Sequence, residues 1–76
     1  MTEGIVISEE ASAKGTDRTL AILELLGRFR KGQSSSEIAR SLGLPVNTVG
    51  RITETMTKRG WLYRREDDRR YVLTNR

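Results

Sequence analysis

A chain of 76 residues with one Pro, seven Gly, no Cys and no His has room for one small domain and lacks the side chains for several kinds of chemistry. Without thiols or imidazoles it has no disulfide staple, zinc finger, Cys or His nucleophile, or His-centred proton shuttle. No segment approaches the roughly 20 apolar residues of a membrane span, and the opening MTEGIVISEE lacks the basic start and long apolar stretch of a signal peptide. A soluble, cytoplasmic protein is expected.

Hydrophobic residues make up 36% of the chain, enough for one thin core. A domain of this size buries only about 60% of its unfolded surface, which leaves little material for a deep substrate pocket and weighs against an enzyme. The net charge of +4 is unevenly spread: residues 1–33 balance, and the whole excess lies in residues 34–76, where every positive side chain except Lys58 is Arg. Arginine suits bidentate contacts to phosphate and guanine, although a solvated, solubilising surface would have the same composition.

Residues 1–15 are rich in Gly, Ser, Ala and Glu and are expected to form a flexible arm, with the domain occupying residues 16–76. Within the arm, Ile5, Val6 and Ile7 would pair as a short strand, dock on a partner subunit, or remain part of a disordered tail. From Thr16 or Asp17, either a suitable N-cap, Leu20, Ile22, Leu23, Leu26 and Phe29 recur at helical spacing and predict a first helix ending near Lys31 and Gly32. Gly27 inside it implies close packing on another helix or simple tolerance. Ser34 stands three residues before Glu37, a capping box, and opens a two-turn helix whose Ile38, Ala39 and Leu42 face inward and whose stop is Gly43. Pro45 suits the first turn of a third helix running to about Arg59. On a helical wheel Ile52 and Met56 fall within about 60° of Val49, an apolar stripe, while Asn47, Thr48, Gly50, Arg51, Glu54, Thr55 and Lys58 fall opposite. Gly60 closes this helix. WLYRR, EDDRR and YVLT then predict two strands round a charged turn, with Leu62, Tyr71 and Leu73 inward and Tyr63 and Val72 outward. The fold class is mainly α with a small β-hairpin: a short helix, a tight turn centred on Gly, a second helix with a polar outer face, and a basic wing.

DRTLAILELL, SSEIARSLGLPVNTVGRI and RGWLYRREDDRRYVLT, spanning about residues 17–74, resemble the N-terminal winged helix-turn-helix domain of the IclR family of bacterial transcription regulators. The resemblance implies a recognition helix in the major groove, with Asn47, Thr48 and Arg51 nearest the bases and phosphates. It also implies a phosphate near the N-terminus of the second helix, Ser34, Ser35 and Ser36, and a wing reaching the backbone or minor groove. The sequence departs from the family pattern at Val46 and Gly50, where polar or basic residues are common, and at Thr53, where Leu is typical. The family's effector-binding domain has no counterpart in these residues, so no small-molecule effector is expected. A stand-alone regulator of the kind phages and mobile elements encode, or a fragment, would fit.

Asn47 and Arg51 lie four residues apart on one helical face, and pairing of Arg with guanine and Asn with adenine is worth about 1–3 kcal/mol of discrimination each. The alternative is a solvated helix face. Gly50 costs about 1 kcal/mol relative to Ala in a helix interior, which suggests that the backbone comes close to a base edge there. Glu54 is better explained by an intrahelical pair with Lys58 than by a base contact. In the wing, Arg64, Arg65, Arg69 and Arg70 flank Glu66, Asp67 and Asp68. They would meet phosphates or the minor groove, or pair across the hairpin. The three adjacent carboxylates make a poor metal cage without a Gly pivot, and no metal or cofactor is expected. Trp61 and Tyr63 would stack on bases or partners, or cover the edge of the core.

The expected function is a non-enzymatic, sequence-specific regulator that binds double-stranded DNA through helix 45–59 and touches the backbone with wing 61–74. The candidate DNA contacts are the three serines, Asn47, Thr48, Gly50, Arg51, Thr55, Lys58 and the four wing arginines. A homodimer is expected, joined through the first helix or the N-terminal arm, because one small module gives limited affinity and site length. An architectural or accessory factor for recombination or transposition, or a winged-helix protein-interaction module, would also fit this sequence.

Overall fold

A computed structural model describes residues 9–74, with side chains from residue 14 onward. The described residues form α1 (Glu9–Arg28), α2 (Ser35–Leu42), α3 (Val46–Lys58), β1 (Leu62–Arg64) and β2 (Tyr71–Leu73). Three helices followed by an antiparallel hairpin is the winged helix-turn-helix order expected from the sequence. Among these residues no helix is long and apolar enough to cross a membrane.

α1 starts at Glu9, not at Thr16 or Asp17, and so crosses the boundary expected between arm and domain. The residues from Glu9 to Lys14 contain Glu, Ala and Lys, which are good helix formers, and carboxylates near a helix N-terminus are favoured by the dipole. That local preference outweighs the cap signals at Thr16 and Asp17 and the cost of Gly15. The Thr19 hydroxyl turns back to donate to the Gly15 carbonyl at 3.0 Å. The apolar patch Ile5 to Ile7 lies outside the described residues.

The buried face of α1 is Ile22, Leu25 and Leu26, with Leu23 packed at its edge. Leu20 and Phe29 were expected on that face and are instead about half exposed. Leu20 lies about 160° round the helix from Ile22 at 100° per residue, and Phe29 falls beyond the last helical residue. Gly27 is a matter of tolerance: a Cβ there would meet only Leu73 Cδ1 at 3.9 Å, an ordinary contact.

α2 is capped as its sequence predicts. The Ser34 hydroxyl accepts from Glu37 N–H at 3.1 Å, and Glu37 Oε1 accepts from Ser34 N–H at 2.9 Å. Ile38 and Ala39 are buried and Leu42 packs beside them. Gly43 closes the helix in the left-handed region, with its N–H donating to the Ala39 carbonyl. Pro45 is the N-cap of α3, one position outside the first turn, and supplies no side-chain cap.

α3 buries Val49 and Met56 and half-buries Ile52, matching the apolar stripe. It also buries Thr53 completely, a polar residue in the core that the apolar pattern does not show. The Thr53 hydroxyl donates to the Val49 carbonyl at 2.8 Å, so the burial leaves no unmet hydrogen bond.

The hairpin pairs Leu62 with Leu73, Tyr63 with Val72 and Arg64 with Tyr71. Leu62 and Tyr71 are buried and Tyr63 is exposed, as the alternation predicts. Leu73 is 39% exposed, contrary to expectation, because it reaches the edge of α1 beside Gly27, where there is no side chain to cover it. A pairing absent from the sequence pattern completes the sheet: Gln33 bridges Tyr71 antiparallel, with Tyr71 N–H donating to the Gln33 carbonyl at 2.8 Å and Gln33 N–H to the Tyr71 carbonyl at 3.1 Å. Gly32 makes this approach feasible. Its φ is +99°, and a Cβ would lie 2.9 Å from Val72 Cγ1 and 3.0 Å from the Tyr71 carbonyl.

Candidate nucleic-acid interface

Because Val49, Thr53 and Met56 anchor α3 in the core, its opposite side is turned outward. Asn47, Arg51, Glu54, Thr55 and Lys58 are exposed there, and Thr48 and Gly50 are half-buried along the margins. Glu54 and Lys58 form the expected intrahelical pair at 3.7 Å, both largely in solvent, so the pair adds little stability and offsets one carboxylate on a polar face.

Two grooves flank this helix. One runs between α3 and the wing and is lined by Asn47, Gly50, Arg51, Lys58, Arg64 and Tyr71, among others. The second runs between α3 and α1, where Leu23, Ile52, Met56 and Trp61 form an apolar floor and Thr48, Thr55 and Arg59 stand on the walls. Arg51 lines both grooves and forms the ridge between them. The residues expected together on one outer face are therefore divided. Asn47, Gly50, Arg51 and Lys58 face the wing, and Thr48 and Thr55 face α1. Trp61 is 49% exposed, at the end of the apolar groove.

Gly50 has no packing reason to be glycine. A Cβ built there meets nothing within 4 Å.

The four wing arginines occupy different environments. Arg64 lies over the Tyr71 ring, 5.5 Å from its centroid, in the groove beside α3. Arg65 donates two hydrogen bonds to the Asp68 carboxylate, at 2.6 and 3.1 Å, and a third to the Lys31 carbonyl at 2.6 Å. The two bonds from Arg65, together with the Arg70 backbone N–H, hold the Asp68 carboxyl below its ordinary pKa, and the same Asp68 contact raises that of Arg65. Arg69 is exposed at the turn with φ +61°. Arg70 reaches the second oxygen of the Glu37 carboxylate at 3.2 Å.

The Ser34 hydroxyl is engaged in its cap, Ser35 is half-buried and Ser36 is exposed. Sequence spacing gives no sign of the contacts from Arg65 to Lys31 or from Arg70 to Glu37, which join residues 34 and 33 apart. The reciprocal Ser34 and Glu37 cap was legible, but the second role of that carboxylate was not. Among the described residues no group of three His, Cys, Asp or Glu could hold a metal ion.

The IclR helix-turn-helix domain family matches residues 15–66, most of the chain and the whole of the helix-turn-helix unit. The chain belongs to this family. The family is one of DNA-binding domains of transcription regulators, not of enzymes. Comparisons with curated proteins and with solved structures returned no match. In this IclR-type domain, α2 and α3 are the two helices of the helix-turn-helix and the hairpin follows them as in a winged helix-turn-helix. The matched span takes in the charged turn only as far as residue 66, so β2 and Arg69 and Arg70 lie beyond it.

Proposed function

We propose that this protein is a sequence-specific regulator that reads the major groove of double-stranded DNA with the outward face of α3 while its wing meets the backbone. The observation that carries this reading is the wing-side groove, where Asn47 and Arg51 stand exposed, Gly50 leaves the backbone uncovered and Arg64 contributes a second guanidinium. Asn47 and Arg51 are one helical turn apart, so they would reach base pairs at neighbouring steps. Arg51 would donate to guanine N7 and O6, and Asn47 would pair with adenine. Lys58 and Arg64 would reach flanking phosphates, with Thr48 and Thr55 touching the sugar-phosphate backbone on the α1 side of the ridge. Ser36 and the first N–H groups of α2 would approach a further phosphate.

The protein would act as a homodimer in the cytoplasm, because a module of this size covers too short a site to be specific alone. Half-exposed Leu20, beside the apolar groove between α1 and α3, supports the first helix as the contact surface.

Selection of bound duplexes from a random pool at about physiological salt tests the reading. The expected product is an inverted repeat with half-sites about 34 Å apart, one helical turn. Arg51→Ala should abolish the preference at one base position of each half-site with the fold intact. A pool without enrichment, or an Arg51→Ala protein with unchanged preference, would contradict it. Sedimentation of the free protein checks the dimer.

A further inference from the structure

The wing carries four arginines, and their surroundings differ enough to separate their roles. Glu37 uses both carboxylate oxygens: Oε1 accepts from Ser34 N–H at 2.9 Å, completing the cap of α2, and Oε2 accepts from Arg70 at 3.2 Å. Arg70 immediately precedes Tyr71, whose backbone is doubly bonded to Gln33, next to Ser34. The side-chain clasp from Arg70 to Glu37 and the backbone bridge from Tyr71 to Gln33 therefore fasten the same two segments. A second clasp lies nearer the wing tip, where Arg65 binds Asp68 with two hydrogen bonds and reaches the Lys31 carbonyl at 2.6 Å. Gly32 lies between these anchors, with no room for a side chain under Arg70 and Val72. In contrast, Arg64 stands over the Tyr71 ring in the groove beside α3, and Arg69 is exposed.

We infer that Arg70, through Glu37, is a positioning residue that fixes the angle of the wing against α2, and that Arg64, not Arg70, is the wing arginine that neutralises a DNA phosphate. This inference rests on the DNA-binding reading above and deepens it. The physical argument is competition. An arginine held by a carboxylate has its charge partly offset and its direction set by that partner, so turning it to a phosphate costs the contact, and its departure would also loosen the carboxylate that caps α2. Among the described residues no carboxylate lies within hydrogen-bonding distance of Arg64, whose contact there is with an aromatic ring. Keeping Arg70 on Glu37 holds Arg64 on the same side as Asn47 and Arg51, because Arg64 is the strand partner of Tyr71 and moves with it.

Salt dependence separates the two roles. Each phosphate neutralised by a side chain contributes a slope of about −0.9 to the logarithm of affinity against the logarithm of salt concentration. Titrations of the selected duplex from 50 to 200 mM salt (flanking roughly physiological strength) should show a shallower slope for Arg64→Ala by about one contact. Arg70→Ala should weaken binding severalfold with the slope unchanged. Glu37→Gln keeps an oxygen to cap Ser34 N–H but removes the charge that holds Arg70, and it should reproduce the Arg70→Ala loss, again with no change in slope. In the protein without DNA, both variants should speed amide hydrogen exchange at Gln33 and Tyr71 severalfold, and the double variant should exchange no faster than the quicker single one.

If Arg70→Ala flattens the slope as Arg64→Ala does, or if Glu37→Gln tightens binding and steepens the slope by releasing Arg70, Arg70 is a phosphate ligand and the inference is overturned. Unchanged exchange at Gln33 and Tyr71 in both variants overturns the clasp by itself, whatever DNA does. A wild-type protein that binds no duplex at any salt concentration refutes the DNA-binding reading and the role given to Arg64, while the exchange measurement still decides the clasp.

Discussion

Replacing Gly50 by Ala separates fold from function at one position. In the interior of α3 glycine costs about 1 kcal/mol relative to alanine, because its backbone loses more freedom on folding. The structure removes the usual offsets: Gly50 does not have positive φ, and a Cβ meets nothing within 4 Å. Gly50→Ala should therefore raise the unfolding free energy by about 1 kcal/mol, which for a domain of 60–100 residues corresponds to a Tm higher by roughly 4–8 °C. The same methyl group would project into the groove shared by Asn47, Arg51 and Arg64, where the proposed base edge lies. If the backbone of α3 approaches DNA at Gly50, the methyl group must displace it, and affinity should fall by about tenfold or more, the equivalent of about 1.4 kcal/mol. Urea or thermal unfolding measures the first effect and a binding titration with the selected duplex the second. A more stable variant with unchanged affinity would refute the close approach. A less stable variant would show that the space round Gly50 is already occupied and would refute the packing argument.

The remaining predictions concern the scaffold that holds this surface. Gly32→Ala should cost at least about 2 kcal/mol, since the left-handed backbone is unfavourable to Ala and the new Cβ would collide with Val72 and the Tyr71 carbonyl; urea unfolding measures it, and a near-neutral result would contradict the described approach. Leu26→Ala removes a fully buried side chain from the centre of the core and should cost about 2–5 kcal/mol, enough to leave much of so small a domain unfolded at room temperature by circular dichroism. The Asp68 carboxyl is held below its ordinary pKa, first by the hydrogen bonds from Arg65. Its folded value is lower than its unfolded one, so the stabilisation from this pairing is fully present above about pH 4 and is lost as pH falls through the lower folded value. A carboxyl titration followed by NMR should therefore place the Asp68 midpoint below about 3.9 and move it upward in Arg65→Ala. An ordinary midpoint in the native protein would sink the bidentate pairing.

The sequence by itself determined those features that local chemistry decides. The Ser34 and Glu37 capping box, the stop at Gly43, the apolar stripe of Val49, Ile52 and Met56, and the alternation of Leu62, Tyr63 and Tyr71 arise from contacts between residues at most a few positions apart, or from one periodic face. They are therefore visible in spacing alone, and with them the order of the elements and the outward direction of Asn47 and Arg51. The start of α1 is local too, but two local signals compete there. The caps at Thr16 and Asp17 lose to a run of helix formers that reaches back to Glu9. What only the tertiary structure decided is how the wing is held. Gln33 pairs with Tyr71, Arg65 with the Lys31 carbonyl and Arg70 with Glu37, all across gaps of more than thirty residues. Four wing arginines look alike in the chain, and their partners depend on where the hairpin docks, which periodicity does not encode. Thr53 is an intermediate case. Helical spacing puts it about 40° from Val49, on the inward face, but a search for apolar residues passes over it; its hydroxyl can enter the interior because it donates to the carbonyl one turn back.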